Sequence, residues 1–455
     1  VIFLIKIKEF KKANTSLFKK SYYDSTNKLL FQETIDFKIY KKKINNFTYF
    51  ILYDLNMEII KPVYKFINSE IIEQSFNTRE KSIYALRFLY CFLAFTKTSI
   101  KDLDQSKIDQ LKLFLLGYSL ENGSYVLELE TIRGNSTVNG YLNIYRSYFN
   151  YLNINIEYLV KTKTTNILKP STIYEKQERI QKYESNLKTS TPANRVPKYI
   201  STKDFSKIIN EIRKDNNLQA ECIVRLMYQF GLRLGEVLGL TFEDLKEINL
   251  DNKLYPVLHL RNRLSDKSFQ KAKSCLVINN SSQYKSKDYK TENFGYQKVF
   301  ITYDIYELIN NYIDLHHTKI KKTKNNRYKE YVLADKTVRN KYVDNNYYIF
   351  INSRGTILSN QSWNKYIKSI FKKVGLKTDK KKKENNLNHR FRHGFAMFHV
   401  KHKNTPLIEL KKLMRHAQVS STMIYFNPTE KEEADIKNQF VKELYDLIPD
   451  LKEVL

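Results

Sequence analysis

The fifteen residues NLKTSTPANRVPKYI, 186 to 200, combine two prolines with small polar side chains and no helical repeat, so no regular element is expected to run through them. A break of this kind in a 455-residue chain decides a great deal, because that length exceeds what one ordinary core can fill. Two structured domains on either side of a linker at 186–199 are expected.

Ahead of the break, residues 1–65 mix Lys-rich and aromatic segments, and FTYFILYDL reads equally as a short strand or an apolar helix. This stretch is set apart as an N-terminal accessory region. From Asn77 the pattern turns helical: NTREKSIYALRFLYCFLAF offers Asn77 or Thr78 as N-cap, Glu80 in the first turn, and Ile83, Leu86, Tyr90 and Leu93 on one face. SKIDQLKLFLLGY and STVNGYLNIYRSYFNYLNI continue the pattern, the latter starting at a Ser136/Thr137 cap, so a helical domain is expected over 66–185.

Beyond the break, Ser201 and Asp204 form an S-x-x-D cap, and AECIVRLMYQF ends at Gly231. YPVLHLRNR, QKVFIT and YYIFINS read as strands among helices, which predicts a mixed α+β domain over 200–430. Residues 431–455 form an amphipathic helix with Ile436, Phe440, Val441 and Leu444 on one side. The fold class is mainly α, with a small β-sheet confined to the second domain.

Lys plus Arg total 78 against 48 Asp plus Glu, a formal charge of +30. Such a surplus favours a polyanionic partner, nucleic acid first, although abundant Lys, Asn, Ile and Tyr also fit a biased coding composition. Cys91, Cys222 and Cys275 are too far apart for a zinc site or disulfide framework, and Cys91 and Cys222 sit in apolar helical patterns as buried thiols. VIFLIKIKEF has five apolar residues before Lys6 and no signal-peptide core, and no run approaches the roughly 18 apolar residues of a membrane span. A cytoplasmic, nucleoid-associated protein with no membrane partner is expected.

Three short segments hold residues out of keeping with their surroundings. In FGLRLGEVLGL, Arg233 follows Gly231 within apolar sequence, with Glu236 three residues on as an ion-pair partner or as the orienter of an anion site. In LNHRFRHGF, His389 and Arg392 share a helix face, a pattern that is common in basic helices. In NTPLIELKKLMRHAQVSSTMIY, Asn404 or Thr405 caps a helix with Pro406 in its first turn, Leu407, Leu410 and Met414 face inward, and His416 precedes a short Ser420 or Ser421 helix that presents Tyr425. By itself, Tyr425 is one of 34 tyrosines.

Together, Arg233 in GLRLGE, H-x-x-R at His389 and Arg392, His416, and a tyrosine nine residues later resemble the tyrosine recombinase (phage integrase) family in order and spacing. The resemblance covers about 65–430 and implies a helical core-binding domain followed by the catalytic domain. It makes Tyr425 the nucleophile, Arg233 and Arg392 the phosphate clamp, His416 a further phosphate donor, His389 the proton acceptor for Tyr425, and Glu236 a support. It also implies a lysine acid on the hairpin between the second and third strands. Lys267 fits that place in VLHLRNRLSDKSFQKAK; Lys271, Lys273 and Lys290 remain alternatives.

The reaction so implied is site-specific strand exchange on double-stranded DNA through a 3′-phosphotyrosyl link, integrating or excising a mobile element with neither metal nor ATP as cofactor. A homotetramer on paired sites, with the terminal helix exchanged between protomers, and a directionality factor are the expected partners; residues 1–65 are candidates for binding additional arm-type DNA sites. Type IB topoisomerase-like relaxation, or a non-catalytic DNA-binding protein descended from a recombinase, are the competing readings.

Overall fold

The structure, a computed structural model, describes residues 4–12, 15–44, 47–118, 121–122, 125–170, 175–189, 196–334, 346–379, 387–427 and 430–447. It divides into two compact units, Val1–Thr191 and Pro192–Leu455, with the division inside the proline-bearing break. Part of that linker, 190–195, lies outside the described residues.

The first unit is not purely helical. Leu4–Lys12 pairs antiparallel with Thr15–Tyr23 and parallel with Tyr125–Glu128, inside a five-stranded sheet completed by Leu29–Ile35 and Glu121–Asn122. FTYFILYDL resolves as a strand, Phe47–Leu52, paired with Ile39–Ile44. Thr162–Pro170 and Glu175–Tyr183 form a further hairpin where helix had been expected to continue. Residues 1–65 share one core with the helices: Ile7, Phe18 and Phe50 pack in the same cluster as Leu86, Phe92, Phe114 and Tyr148. Each fully buried side chain of this kind contributes about 1.5–3 kcal/mol relative to exposure, so strands and helices form one structural body.

The expected helices are present with shifted caps. Phe76–Thr96 is capped by Ser75, which accepts from the Thr78 N–H, instead of by Asn77 or Thr78. Its inward face does carry buried Ile83, Leu86 and Leu93, with Tyr90 half-buried. Gln105–Leu116 begins at Asp104, whose carboxylate accepts the Lys107 N–H, and stops at left-handed Gly117. Asn135–Tyr151 starts at Gly134 with no side-chain cap, so Ser136 and Thr137 fall inside the helix.

In the second unit, Ser201 caps Thr202–Lys214 by accepting the Asp204 N–H, and Ile208, Ile209 and Ile212 face the core. Leu245–Leu250, Lys253–Arg261 and Tyr296–Phe300 form an antiparallel three-stranded sheet, with Leu250 opposite Lys253 and Val257 opposite Phe300. YYIFINS does not join it. Tyr348, Ile349, Phe350 and Ile351 are buried on every side, and the Tyr348 and Ile349 N–H groups donate to the Val332 and Leu240 carbonyls, which satisfies the backbone from flanking loops rather than a ladder.

All three cysteines are buried free thiols. Glu430–Leu447 is helical, as expected of the terminal segment, and leaves Phe440 63% exposed and Val441 exposed beside half-buried Leu444. Residues 448–455 lie outside the described residues. No described helix is long and apolar enough to cross a membrane.

Candidate active site

Two helices set the floor of the site. Leu218–Gln229, capped by the Asn217 side chain, buries Ile223, Leu226 and Met227 and gives way at Gly231, whose φ of +61° turns the chain. His389–Lys403 crosses this helix at Gly394; a Cβ there would stand 2.5 Å from the Ile200 carbonyl oxygen and the Tyr228 ring. Asn388, just before the second helix, accepts the Trp363 indole N–H at 2.8 Å, which fixes where that helix begins. The turn after Gly231 and the first turns of His389–Lys403 therefore face one another.

Arg233 starts the short helix Leu234–Leu238. Its backbone N–H donates to Glu236 Oε2 at 2.8 Å and its Nη1 to Oε1 at 2.7 Å. Glu236 is 3% exposed. Burial alone would raise its carboxyl, but Arg415, Arg392, Arg233 and the Arg233 N–H outweigh burial and bring it down to about 2. Arg415 Nη2 shares Oε2 at 3.0 Å.

Arg392 is 3% exposed and donates through Nη1 to the Gly231 carbonyl and through Nη2 to the Met414 carbonyl. Burial, reinforced by Arg233 and Arg415 and opposed by Glu236 and Tyr425, lowers its guanidinium to about 9, still charged at neutral pH. Three guanidiniums around one carboxylate leave a net positive pocket suited to a phosphate.

The helix expected to carry His416 runs Leu407–Leu413, with Pro406 as its N-cap; Asn404 instead ends the preceding helix in a left-handed conformation, and Thr405 bonds to His399. Leu410 and Met414 face inward and are fully buried. His416 Nδ1 pairs with Thr422 Oγ1 at 2.9 Å, and the short helix Ser420–Met423 presents Tyr425. The rings of His416 and Tyr425 lie nearly parallel, 6.4 Å apart. Burial, then Arg392, Arg233 and Arg415, lowers the His416 imidazole to about 4, so it is neutral at neutral pH.

Tyr425 is 3% exposed among Phe395, Met397, Leu410 and Met414. Burial pushes its phenol up to about 12 against the pull of Arg392 and Arg233. Its hydroxyl meets His393 Nδ1 at 2.8 Å. Burial, followed by the charges of His389, Arg392 and His416, lowers His393 to about 3; in its Nε2-protonated tautomer, Nδ1 accepts the Tyr425 O–H. His389 is exposed at the start of the helix, its ring 6.0 Å from that of His393. His393 and Arg415 are the site residues that motif spacing passes over, although His393 is one helical turn beyond His389 and Arg415 precedes His416.

The lysines of the expected hairpin lie on the loop after Lys253–Arg261. Tyr348 donates to Asp266 Oδ1 at 2.7 Å and the Arg263 N–H donates to Oδ2 at 2.6 Å, which anchors the turn before exposed Lys267. The loop then returns to the start of Leu234–Leu238, where a Cβ on Gly235 would stand 3.0 Å from the Phe269 and Lys271 carbonyl oxygens. Lys271 Nζ donates to the Arg263 carbonyl at 3.4 Å. Exposed Lys273 is two residues from Cys275, whose thiol burial pushes up to about 12 with Glu236 adding to the shift and Arg415 and Arg233 opposing it. Lys290 is exposed at the end of the short helix Lys287–Lys290. Among the described residues, no three His, Cys, Asp or Glu side chains gather as a metal-binding group.

Residues 198–432, just over half of the chain, match the model of the phage integrase family. Transposase A from transposon Tn554 of Staphylococcus aureus is 28% identical over 229 residues, covering 48% of this chain and 60% of that protein, so the match spans less than two thirds of its length. Among solved structures, the XerH site-specific recombinase bound to difH in a pre-cleavage complex is 16% identical with a TM-score of 0.46, covering 79% of each chain. The Tn1549 transposon integrase in complex with circular intermediate DNA is 15% identical with a TM-score of 0.46, covering 82% of this chain and 98% of that one.

Proposed function

This chain belongs to the phage integrase family, and we propose on that premise that it cuts and rejoins DNA at specific sites through a covalent link to Tyr425. The observation that carries the reading is the Tyr425 hydroxyl held at 2.8 Å on a neutral imidazole, beside a pocket of three arginines. A buried phenol with a raised pKa is a poor nucleophile until a base takes its proton and cations stabilise the charge that develops at phosphorus.

In this reading Arg233 and Arg392 hold the non-bridging oxygens of the scissile phosphate, and His416 donates through Nε2 while Thr422 occupies Nδ1. The Tyr425 oxygen bonds to phosphorus as its proton passes to a histidine, His393 on the geometry or His389 on family resemblance. The P–O5′ bond breaks, and the leaving oxygen takes a proton from a lysine of the connection between Lys253–Arg261 and Tyr296–Phe300. The product is a 3′-phosphotyrosyl link and a free 5′-hydroxyl; attack by another 5′-hydroxyl reverses every step, so no external energy source enters. Lys273 is supported by its closeness in sequence to Cys275, Lys267 by its place just after the strand, and Lys290 remains the third choice.

The partner is double-stranded DNA, engaged mainly through phosphates by a chain of charge +30. The exposed Phe440 and Val441 of Glu430–Leu447 support docking of that helix on a neighbouring protomer within a tetramer on paired sites. The element moved would be a mobile one, with a directionality factor deciding between integration and excision.

Cells carrying the DNA that flanks this gene, and expressing either wild type or Tyr425→Phe, test the reading by junction PCR for an excised circle. Circle junctions with wild type alone are expected. Junctions at equal yield with Tyr425→Phe would remove Tyr425 from the reaction and overturn the reading.

A further inference from the structure

Arg415 is held in a way that calls for an explanation. Its backbone has φ +52°, in the left-handed region that side chains other than glycine rarely adopt. Its guanidinium is nevertheless turned inward, with the side chain only 9% exposed. Nη2 donates to Glu236 Oε2 at 3.0 Å and to the Gly231 carbonyl at 3.2 Å, while Nη1 reaches the carbonyls of Leu413 at 3.3 Å and Phe230 at 3.5 Å. Nε is buried without a hydrogen-bond partner among the described residues. Ending the helix Leu407–Leu413 does not require any of this, since glycine serves a left-handed stop better than arginine. Solvation does not explain it either, since a solvated arginine would not bury its Nε.

What Arg415 does join is two distant parts of the catalytic constellation. On one side is the turn Met414–His416, which supplies the carbonyl that receives Arg392 and carries His416. On the other is Phe230–Glu236, which supplies the Gly231 carbonyl, Arg233 and the carboxylate that orients it. We propose that Arg415 is a positioning residue for strand cleavage, locking the His416 turn onto Glu236 and Gly231 so that Arg233, Arg392 and His416 converge on one phosphate. The proposal rests on the reading of this site as one that cleaves a phosphodiester. Glu236 is then shared: Oε1 aims Arg233, and Oε2 holds the turn through Arg415.

The test uses the full chain and a nicked duplex built from the excision-junction sequence, with covalent adduct measured in a single turnover at saturating protein. Arg415→Gly suits the left-handed backbone and leaves Glu236 paired with Arg233, so a partial loss of melting temperature is expected from the broken ion pair, with duplex Kd near wild type while adduct formation slows on the order of 10²-fold, the scale of a small misplacement at a reacting centre. Arg415→Lys should recover only part of the rate, because an ammonium lacks the planar fork that reaches Glu236 and Gly231 together. Adding His416→Ala to Arg415→Gly should slow the reaction by less than the product of the single effects, as expected of residues acting as a unit. A wild-type rate in Arg415→Gly, fully multiplicative losses, or a loss of duplex binding as large as the loss of rate would each overturn the positioning role alone. No adduct with wild type would overturn the cleavage reading and this inference with it.

Discussion

His393 Nδ1 lies 2.8 Å from the Tyr425 hydroxyl, and both residues are fixed by what packs around them: Tyr425 by Phe395 and Met414 in one apolar cluster, His393 by the helix that Gly394 lets settle against Tyr228. The proton of the buried phenol has an acceptor before any substrate arrives.

His393→Ala should therefore slow covalent adduct formation by about 10²- to 10⁴-fold, the usual contribution of a positioned general base, while duplex binding changes little. His389→Ala should cost less. Single-turnover cleavage of a nicked duplex by the two variants compares them directly; a larger loss in His389→Ala would reduce His393 to a packing partner.

Glu236→Gln should lower the stability of the second unit by about 3–5 kcal/mol, the cost of removing one partner from a buried ion pair. Arg233 and Arg415 would be left facing each other without the carboxylate. Urea denaturation checks this, and an unchanged midpoint would mean that the arginines find other acceptors.

Stability should also fall as the medium is acidified. His416 and His393 have folded values near 4 and 3 against 6.5 for the free side chain, so the unfolded chain takes protons that the folded one refuses as pH drops below about 6.5. Glu236, near 2 against 4.5, adds a loss of the same sign from pH 4.5 downward. Both contributions are complete above pH 6.5. A melting temperature that stays level from neutral pH down to pH 4.5 would contradict the histidine contribution.

Gly394→Ala should cost about 1–3 kcal/mol through overpacking against Ile200 and Tyr228. Because Arg392 and His393 sit on the adjoining turn, cleavage should fall further than DNA binding. Equal losses in both would indicate a general rather than a local displacement.

Among Lys267→Met, Lys273→Met and Lys290→Met, the variant lacking the general acid should be slow on ordinary DNA yet close to wild type on a duplex with sulfur at the scissile 5′-bridging position. A thiolate leaves without needing a proton. Lys273→Met is expected to show this rescue, and rescue in Lys267→Met instead would move the acid six residues back.

Much of the candidate site can be read from sequence because the proposed chemistry ties residue type to spacing. Arg233, Glu236, Arg392, His416 and Tyr425 all fall in short segments, and the structure brings them together. His393 and Arg415 escape that logic: one hides in the basic run HRFRH, and the other owes its role to a backbone turn that composition does not announce. The sheet of the first unit was obscured for a different reason. Glu9 and Lys20 point inward from its strands, Glu9 accepting the Glu130 and Thr131 N–H groups and Lys20 lying over the Tyr22 ring, so the alternation that marks a strand is broken by buried charge. Its pairing of Ile5 with Tyr125 joins segments far apart in the chain, beyond the reach of any local pattern.

Arg392 finds its two acceptors at Gly231 and Met414, on opposite sides of it in the chain. During synthesis the guanidinium therefore emerges before one of the carbonyls that will seat it, and Tyr425 follows eleven residues after that carbonyl. A ribosome-bound or prematurely terminated product ending before Met414 has neither a seated Arg392 nor a Tyr425, so the proposed cleavage chemistry waits until both have been made.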